Sequence, residues 1–177
     1  NDVGSATWGS FNHVQLAMGM FVRGDRLDEA YKTTVVALDF IEKARIGFAG
    51  DVVRSIQRFL QAARGFSDHL GTLSGEGFDE RAYEEYLEKE SFPTVRLFYY
   101  VMKTADRLLA ASYNEALDAA AGAARNTMGG NGMIVLAEYH YYAALAGAAH
   151  HPAASAEVQA DIRRSLADHV EKLREWS

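Results

Sequence analysis

The sequence predicts an all-α fold in which about eight helices stack as antiparallel hairpins. Apolar residues recur roughly every three to four positions through nearly the whole chain, which is the spacing of one face of an α-helix. No window alternates apolar and polar residues for the length of a strand, so the sequence predicts no β-sheet. A short motif that opens a helix also occurs twice, which indicates repeated helical hairpins.

The repeated motif is a polar turn followed by Glu-Ala and by a second alanine seven residues later. Residues 28–30 (Asp-Glu-Ala) are followed by Ala37, and residues 114–116 (Asn-Glu-Ala) are followed by Ala123. Small residues at this spacing share one helical face and let a partner helix pack closely. The two motifs lie 86 positions apart. This is not a multiple of the tetratricopeptide unit of about 34 residues, so we expect a degenerate repeat with an inserted helix and loop.

The first three helices follow from amphipathic stripes that are separated by turn residues. In the turn at 23–26, Gly24 suits the left-handed cap of one helix and Asp25 suits the N-cap of the next. Four glycines between residues 65 and 77, with no sustained period, predict a loop after the third helix. The three stripes are Phe11, Val14, Met18 and Phe21; Leu27, Tyr31, Thr34, Leu38 and Ile41; and Phe48, Val52, Ile56, Phe59, Leu60 and Ala63.

Five more helices are predicted in the rest of the chain. A short acidic helix is expected around residues 80–90 with Asp79 as its N-cap, and Pro93 suits the first turn of the next helix. After the alanine-rich sixth helix, the three glycines of 127–132 break the chain. The seventh helix then ends at the His-His-Pro segment 150–152, and an eighth follows.

Composition excludes several classes of function. The formal net charge of −6 provides no basic stripe for a phosphate backbone, so we expect no nucleic-acid partner. The absence of Cys rules out disulfides and thiolate metal sites. No apolar run approaches the ~20 residues of a membrane span, so we expect a cytoplasmic protein without membrane insertion. Because the chain lacks an initiator Met and stops on a helical pattern, we expect residues 1–177 to be a single helical-repeat domain excised from a longer polypeptide.

The sequence carries no recognisable catalytic, cofactor or metal motif. Neither Glu-x-x-His nor His-Glu-x-x-His occurs, so the six histidines have no helical partner at metal-ligand spacing. The Gly-rich segment 129–132 is not followed by Lys-Ser or Lys-Thr, and no Gly-x-Ser-x-Gly elbow is present. We therefore predict no catalytic residue, no cofactor and no metal site.

Two groups of polar side chains have structural explanations. The histidines His150 and His151 adjoin a predicted helix end, where imidazoles can cap the last carbonyls and meet the negative end of the helix dipole. The acidic helix carries four carboxylates beside basic residues, and they are expected on its solvated side. These carboxylates are Glu84, Glu85, Glu88 and Glu90.

The aromatic run 139–142 (Tyr-His-Tyr-Tyr) is the candidate interaction surface. At about 100° per residue the run covers several faces of its helix, so its rings cannot all enter one core stripe. Tyr141 is expected to pack inward with the small residues of the helix. Tyr139, His140 and Tyr142 would then line a groove between hairpins that suits peptide recognition. The alternative is that these rings contact an adjacent helix.

Five short stretches, spread over most of the chain, occur in an order typical of one protein region. They are residues 24–30 (GDRLDEA), 38–47 (LDFIEKARIG), 78–80 (FDE), 86–87 (YL) and 136–145 (LAEYHYYAAL). Through them the chain resembles, from about Phe11 to about Ala149, the helical region of very large bacterial signalling proteins. Proteins of this family carry a serine/threonine-kinase-like domain, a predicted ATPase, a long tetratricopeptide-like region, sensor modules and a histidine kinase. The resemblance implies a degenerate tetratricopeptide-like, right-handed array.

The resemblance also implies a non-catalytic, protein-interaction or regulatory domain of a bacterial multi-sensor histidine kinase with an ATPase region. The chain has no Gly-rich ATP loop with its lysine, no His-Arg-Asp loop, no P-loop and no phosphoacceptor H-box, so catalysis would belong to other parts of the parent. The expected partner is a protein or peptide segment, or a neighbouring domain of the parent chain. Two alternatives stay open: a small helical ligand-binding protein or enzyme with a pocket near Tyr139–Tyr142, and a rigid spacer between domains.

Overall fold

The computed structural model describes residues 2–176, and the side chains of residues 6–176. It confirms the all-α class, because the described residues form eight α-helices, two 3-10 turns and no strand. The predicted domain boundaries at residues 1 and 177 lie outside the described part of the chain. The helices are α1 (Asp2–Arg23), α2 (Leu27–Ala44), α3 (Gly47–Ala63), α4 (Glu80–Glu90), α5 (Pro93–Leu109), α6 (Tyr113–Ala124), α7 (Val135–His150) and α8 (Ala156–Glu175), and the 3-10 turns are Thr127–Gly130 and His151–Ala153.

The odd-numbered helices form a continuous row through the core. Helix α3 packs against both α1 and α5, and α5 also packs against α7. Helix α2 lies on α1 and α3, α6 lies on α5 and α7, and α8 lies on α7. Helix α4 differs because long side chains join it to the row: the hydroxyls of Tyr83 and Tyr86 donate hydrogen bonds to Asp51 of α3.

The repeated motif brings small residues into the core, as predicted. Ala30 and Ala37 of α2 are buried, and so are Ala116 and Ala123 of α6. Each of these two helices packs against two odd-numbered helices, and a methyl side chain permits that close approach. The motif therefore marks equivalent packing positions in two parts of the fold.

The predicted turn residues differ in outcome. Gly24 has a φ of +68° and ends α1 in the left-handed region, as expected. Asp79 caps α4, since its carboxylate accepts a hydrogen bond of 2.7 Å from the backbone N–H of Ala82. The prediction that Asp25 caps α2 was wrong: its carboxylate pairs with the guanidinium of Arg23 instead, and α2 begins without a side-chain cap.

His150 is the last residue of α7 and His151 its C-cap, but the capping hydrogen bond runs from the backbone N–H of His151 to the carbonyl of Gly147, so the prediction that the imidazoles cap the carbonyls was wrong. The Nε2 atom of His151 lies 3.1 Å from Nη1 of Arg163, which donates to it. Neither imidazole, at His150 or at His151, bonds to a helix carbonyl within the described residues. The amide of Gln159 donates to the carbonyls of His151 and Ala154 instead. The start of α8 therefore provides donors for the turn between α7 and α8.

Candidate interaction surfaces

Tyr139 and His140 lie between α7 and α8. The ring of Tyr139 is 5.5 Å from the ring of His169 in α8, and the ring of His140 is 5.1 Å from the same imidazole. The indole of Trp176, which follows α8, lies 5.5 Å from His140. Both predicted surface residues are half-buried, and both contact an adjacent helix, which was the alternative interpretation of the aromatic run.

Tyr142 and Tyr141 point to different surroundings. The ring of Tyr142 lies 6.0 Å from the ring of Phe21, so α7 touches the C-terminal part of α1. Tyr141 is 48% exposed, and the prediction that it packs inward was wrong. The buried face of α7 includes Ala143 and Ala146, and Tyr141 lies off that face. A helix whose small residues meet its neighbours can leave a large ring outside.

A depression of about 230 Å³ lies between α6, α7 and α8. Its wall is mostly aliphatic, and Tyr139, Ser165 and His169 supply its polar groups. Burial raises the pKa of Tyr139, so its phenol stays protonated and able to donate a hydrogen bond. The aliphatic lining consists of Leu117, Ala120, Ala121, Ala124, Ala143, Gly147, Ile162 and Leu166.

Glu138 is a half-buried carboxyl group beside the candidate residues. Burial raises its pKa to about 7. Among the described residues it forms no hydrogen bond or ion pair, and burial and the charge of Glu138 both raise the pKa of Tyr142 on the same helix. A carboxyl with such a pKa can hold a proton near neutral pH, but within the described part of the chain no nucleophile or second acid is hydrogen-bonded to it.

A second surface consists of four aromatic side chains, here called the aromatic row: Trp8, Phe11, Phe48 and Phe92. Ring centroids are 6.3 Å apart for Trp8 and Phe11, 5.6 Å for Phe11 and Phe48, and 6.2 Å for Phe48 and Phe92. The row therefore crosses α1, the start of α3 and the start of α5 without a break. Trp8 is 72% exposed and Phe92 is 63% exposed, so the row presents a contiguous apolar strip to solvent.

A depression of about 410 Å³ continues the aromatic row past α5. Phe48 and Phe92 form one wall, and Met128, which is 80% exposed, forms the other. Its base is fixed by close packing, because the hydroxyl of Thr94 donates a 2.8 Å hydrogen bond to the carbonyl of Gly129. A Cβ atom at Gly129 would lie 2.4 Å from the backbone nitrogen of Thr94, so only glycine fits there.

The aromatic row was not identified from the sequence. Phe11 and Phe48 were assigned to the core stripes of their helices, and each does contribute partly to the core. The missed signal is positional: Phe48 is the second residue of α3, and Phe92 immediately precedes α5. Aromatic residues at the same end of successive parallel helices lie side by side once those helices stack.

A buried polar cluster lies under α4, and it is structural. The carboxylate of Glu80 accepts hydrogen bonds of 2.9 Å from the hydroxyl of Thr72 and from the backbone N–H of Leu73. Its other oxygen lies 2.5 Å from Nη2 of Arg107 and 2.9 Å from Nζ of Lys103. Although burial raises the pKa of Glu80, these donors lower it below its usual range. Every acceptor position of Glu80 is therefore occupied, which leaves none for a substrate.

Glu84 belongs to this cluster and not to the solvated side of α4, so its predicted exposure was wrong. Its carboxylate accepts hydrogen bonds from the hydroxyl of Tyr99, at 2.8 Å, and from Nζ of Lys103, at 2.5 Å. Both donors come from α5, so Glu84 helps to hold α4 in place. The other three carboxylates of the acidic helix are exposed, as predicted: Glu85, Glu88 and Glu90.

Comparisons with known proteins identified no relative. No protein-family model, no curated protein and no solved structure matched the chain. Across the described residues, no three His, Asp or Glu side chains lie together as metal ligands would. In the same residues, no helix combines the length and hydrophobicity that crossing a membrane requires.

Proposed function

We propose that this chain is a non-catalytic protein-interaction domain with a tetratricopeptide-like arrangement of stacked helical hairpins. The aromatic row is the observation that carries this proposal, because contiguous exposed apolar patches are uncommon on monomers and mark contact sites. The repeated alanine positions in α2 and α6 support a repeat origin for the hairpins. The resemblance to large bacterial signalling proteins supports a role in a multi-sensor histidine kinase with an ATPase region, where the domain would regulate other parts of the parent.

The partner that fits the aromatic row is an amphipathic α-helix of a protein. Successive rings of the row lie between 5.6 and 6.3 Å apart, and residues four apart on an α-helix rise about 6 Å. An extended peptide would need backbone groups to pair with. The described residues form no strand, so the row offers no sheet edge for that pairing. A helical partner brings no unpaired backbone and needs only an apolar face.

Site-specific photocrosslinking tests this surface. We would place p-benzoylphenylalanine at Phe92, in the complete source protein in its native host, and locate the crosslinked residues by mass spectrometry. We expect the crosslinks to fall on the apolar face of one helical segment, at positions three or four apart. Phe66 provides a matched control, since it is 62% exposed against 63% for Phe92 but lies in the loop after α3.

Two results of this experiment would overturn the proposal that the aromatic row is a contact surface. One is equal crosslinking from positions 92 and 66, and the other is a crosslinked segment that is extended or absent. As a second measure, the same photocrosslinker is placed at Trp8. Phe92→Ser should abolish crosslinking from that position, whereas Phe66→Ser should leave it unchanged. Both serines replace exposed rings, so neither substitution should prevent folding.

The candidate residues Tyr139, His140 and Tyr142 allow a test against the rigid-spacer alternative. If the domain only sets a distance, then Tyr139→Ala with Tyr142→Ala leaves signalling by the parent intact as long as the domain folds. If occupancy of the domain biases the ATPase between two states, substitutions at the true contact surface change ATP turnover or autophosphorylation. We expect Phe92→Ser to change these activities and the tyrosine pair to change them less.

A small-ligand-binding protein is the second candidate, and the depression between α6, α7 and α8 favours it. Its volume of about 230 Å³ exceeds the ~150 Å³ of an apolar cavity that can hold benzene. A ligand there would be a small, mostly apolar ring with one polar group facing Tyr139 or His169. Thermal-shift measurements with indole and with phenol test this, because a ligand of the native state raises Tm. Ala143→Leu, which fills the depression, should remove any such rise.

A further inference from the structure

Helix α8 is held on the rest of the molecule along one side only. Of its 20 residues, Ile162 alone is buried, and its main neighbour is α7. Near its C-terminal end, Nδ1 of His169 lies 2.8 Å from Nδ1 of His140 in α7. Here these two residues are called the histidine pair. Tyr139 and Trp176 lie edge-on to its rings, so the pair is the polar centre of an aromatic contact.

The hydrogen bond of the histidine pair depends on protonation. A bond between two Nδ1 atoms needs one N–H donor and one free lone pair, so at least one imidazole must be neutral. When both imidazoles are protonated, two N–H groups and two positive charges face each other across 2.8 Å. The contact cannot persist in that state, because no acceptor remains between the rings.

We propose that the histidine pair is a pH-sensitive contact that holds the C-terminal half of α8 on α7 at neutral pH and releases it in acid. Release would uncover Leu166 on the apolar side of this half of α8, together with Tyr139 and Ala143 of α7, which line the same depression. The protein would therefore expose this apolar surface in acid and cover it at neutral pH. This inference does not depend on the aromatic row or on the proposed function.

The charges around the histidine pair favour its neutral form. Burial lowers the pKa of His140 to about 4, helped by His169 and by the ammonium of Lys172, while Glu175 acts in the opposite direction. Glu175 is itself paired with Lys172, its Oε2 lying 2.9 Å from Nζ. Burial also lowers the pKa of His169, opposed by the carboxylate of Asp168. On the α6 side, the adjoining wall contains only aliphatic residues.

The direction of the pH effect follows from linkage. Both imidazoles have a lower pKa in the docked state than the usual value of about 6.5 in an unfolded chain. The undocked state therefore binds more protons, and docking is lost as the pH falls from about 6.5 towards about 4. Glu138 has the opposite effect on stability over this range, because its raised pKa favours the folded state in acid. An experiment on α8 must therefore separate the effect of the histidine pair from the effect of Glu138.

Hydrogen exchange of the α8 amides, corrected for the intrinsic effect of pH, tests the proposal. In a Glu138→Gln background, we expect protection of residues 163–175 to fall by about tenfold or more between pH 6.5 and pH 4.5, which corresponds to one pKa unit of coupling. Protection of α5 should remain above that of α8 at pH 4.5, because α8 opens without unfolding of the whole domain. With His140→Leu and His169→Leu together, the protection of α8 should no longer depend on pH. His151→Leu, outside the pair, is the matched control and should keep the loss.

Two outcomes would overturn the proposal. One is an α8 that keeps its protection in acid, and the other is a double variant that keeps the acid-dependent loss. If the double variant fails to fold, NMR titration of the imidazole nitrogens in the unmodified chain decides the question. It should show both pKa values below about 6.5 and one imidazole with its proton on Nδ1. Two imidazole pKa values of about 6.5, or two imidazoles that both carry their proton on Nε2, would contradict the hydrogen bond of the histidine pair.

Discussion

Glu80 and Glu138 both lose hydration on folding, but their pKa values move in opposite directions. Glu80 accepts from two neutral donors and lies within 2.9 Å of two cationic groups, and its pKa is lowered. Glu138 has no donor among the described residues, and its pKa rises to about 7. Since burial raises the pKa of both carboxyl groups, the difference comes from the donors that surround each one.

The two environments also differ in what they do for the fold. Glu80 joins the loop before α4, through Thr72 and Leu73, to Arg107 of α5. It thereby holds the start of α4 against both the preceding loop and α5. Glu138 joins nothing, and its ionisation near neutral pH opposes folding instead of supporting it. A buried carboxyl therefore stabilises this molecule only where the chain supplies donors for its charge.

Removing Arg107 should produce the largest loss of stability. In Arg107→Met the buried charge of Glu80 keeps only Lys103 as a cationic partner, and the expected cost is about 3 kcal/mol in the free energy of unfolding. Urea denaturation followed by circular dichroism measures it. Arg81→Met provides the control, because Arg81 forms an exposed pair with Glu85 that should contribute less than about 1 kcal/mol. Equal losses in the two variants would contradict the importance of the buried partner.

Removing one neutral donor should have a smaller effect. Thr72→Val keeps the shape of the buried side chain but removes the 2.9 Å hydrogen bond to Glu80, and the expected cost is about 1.5 kcal/mol at pH 7. Because the pKa of Glu80 is lowered by folding, its stabilisation is present above about pH 4.5 and lost as the pH falls further. Thr72→Val should therefore weaken the acid dependence as well. The backbone N–H of Ser74 donates to the same hydroxyl. The loss of this hydrogen bond between neutral groups should contribute little to the change in acid dependence.

The sequence predicted the helices better than it predicted the sites, for a physical reason. Periodicity and caps are local, so the bounds of α4, the loop of residues 65–77 and the buried alanines were foreseeable. The cationic partners of Glu80 and the donors to Glu84 lie on α5, and Arg107 is 27 residues from Glu80. No local spacing indicates such pairs. The histidine pair spans 29 residues, and the aromatic row arises only when three helices are stacked.

Neutralising Glu138 should give the smallest effect, and its sign is opposite to the others. The folded pKa of about 7 lies above the usual 4.5, so stability is fully present below about pH 4.5 and declines as the pH rises through about 7. Glu138→Gln should remove that decline. We expect a gain of about 1 kcal/mol or less at pH 8, since the side chain is partly exposed and solvent reduces the effect.

The measurement for Glu138 is the difference in unfolding free energy between the variant and the unmodified chain at pH 8 and at pH 5. Glu85→Gln, on the exposed side of α4, serves as the matched control for the loss of one carboxylate. A gain at pH 8 that persists at pH 5 would mean that Gln packs better than Glu, and charge would not be the cause. A loss at pH 8 would mean that Glu138 has a donor in solution, and the contrast with Glu80 would then disappear.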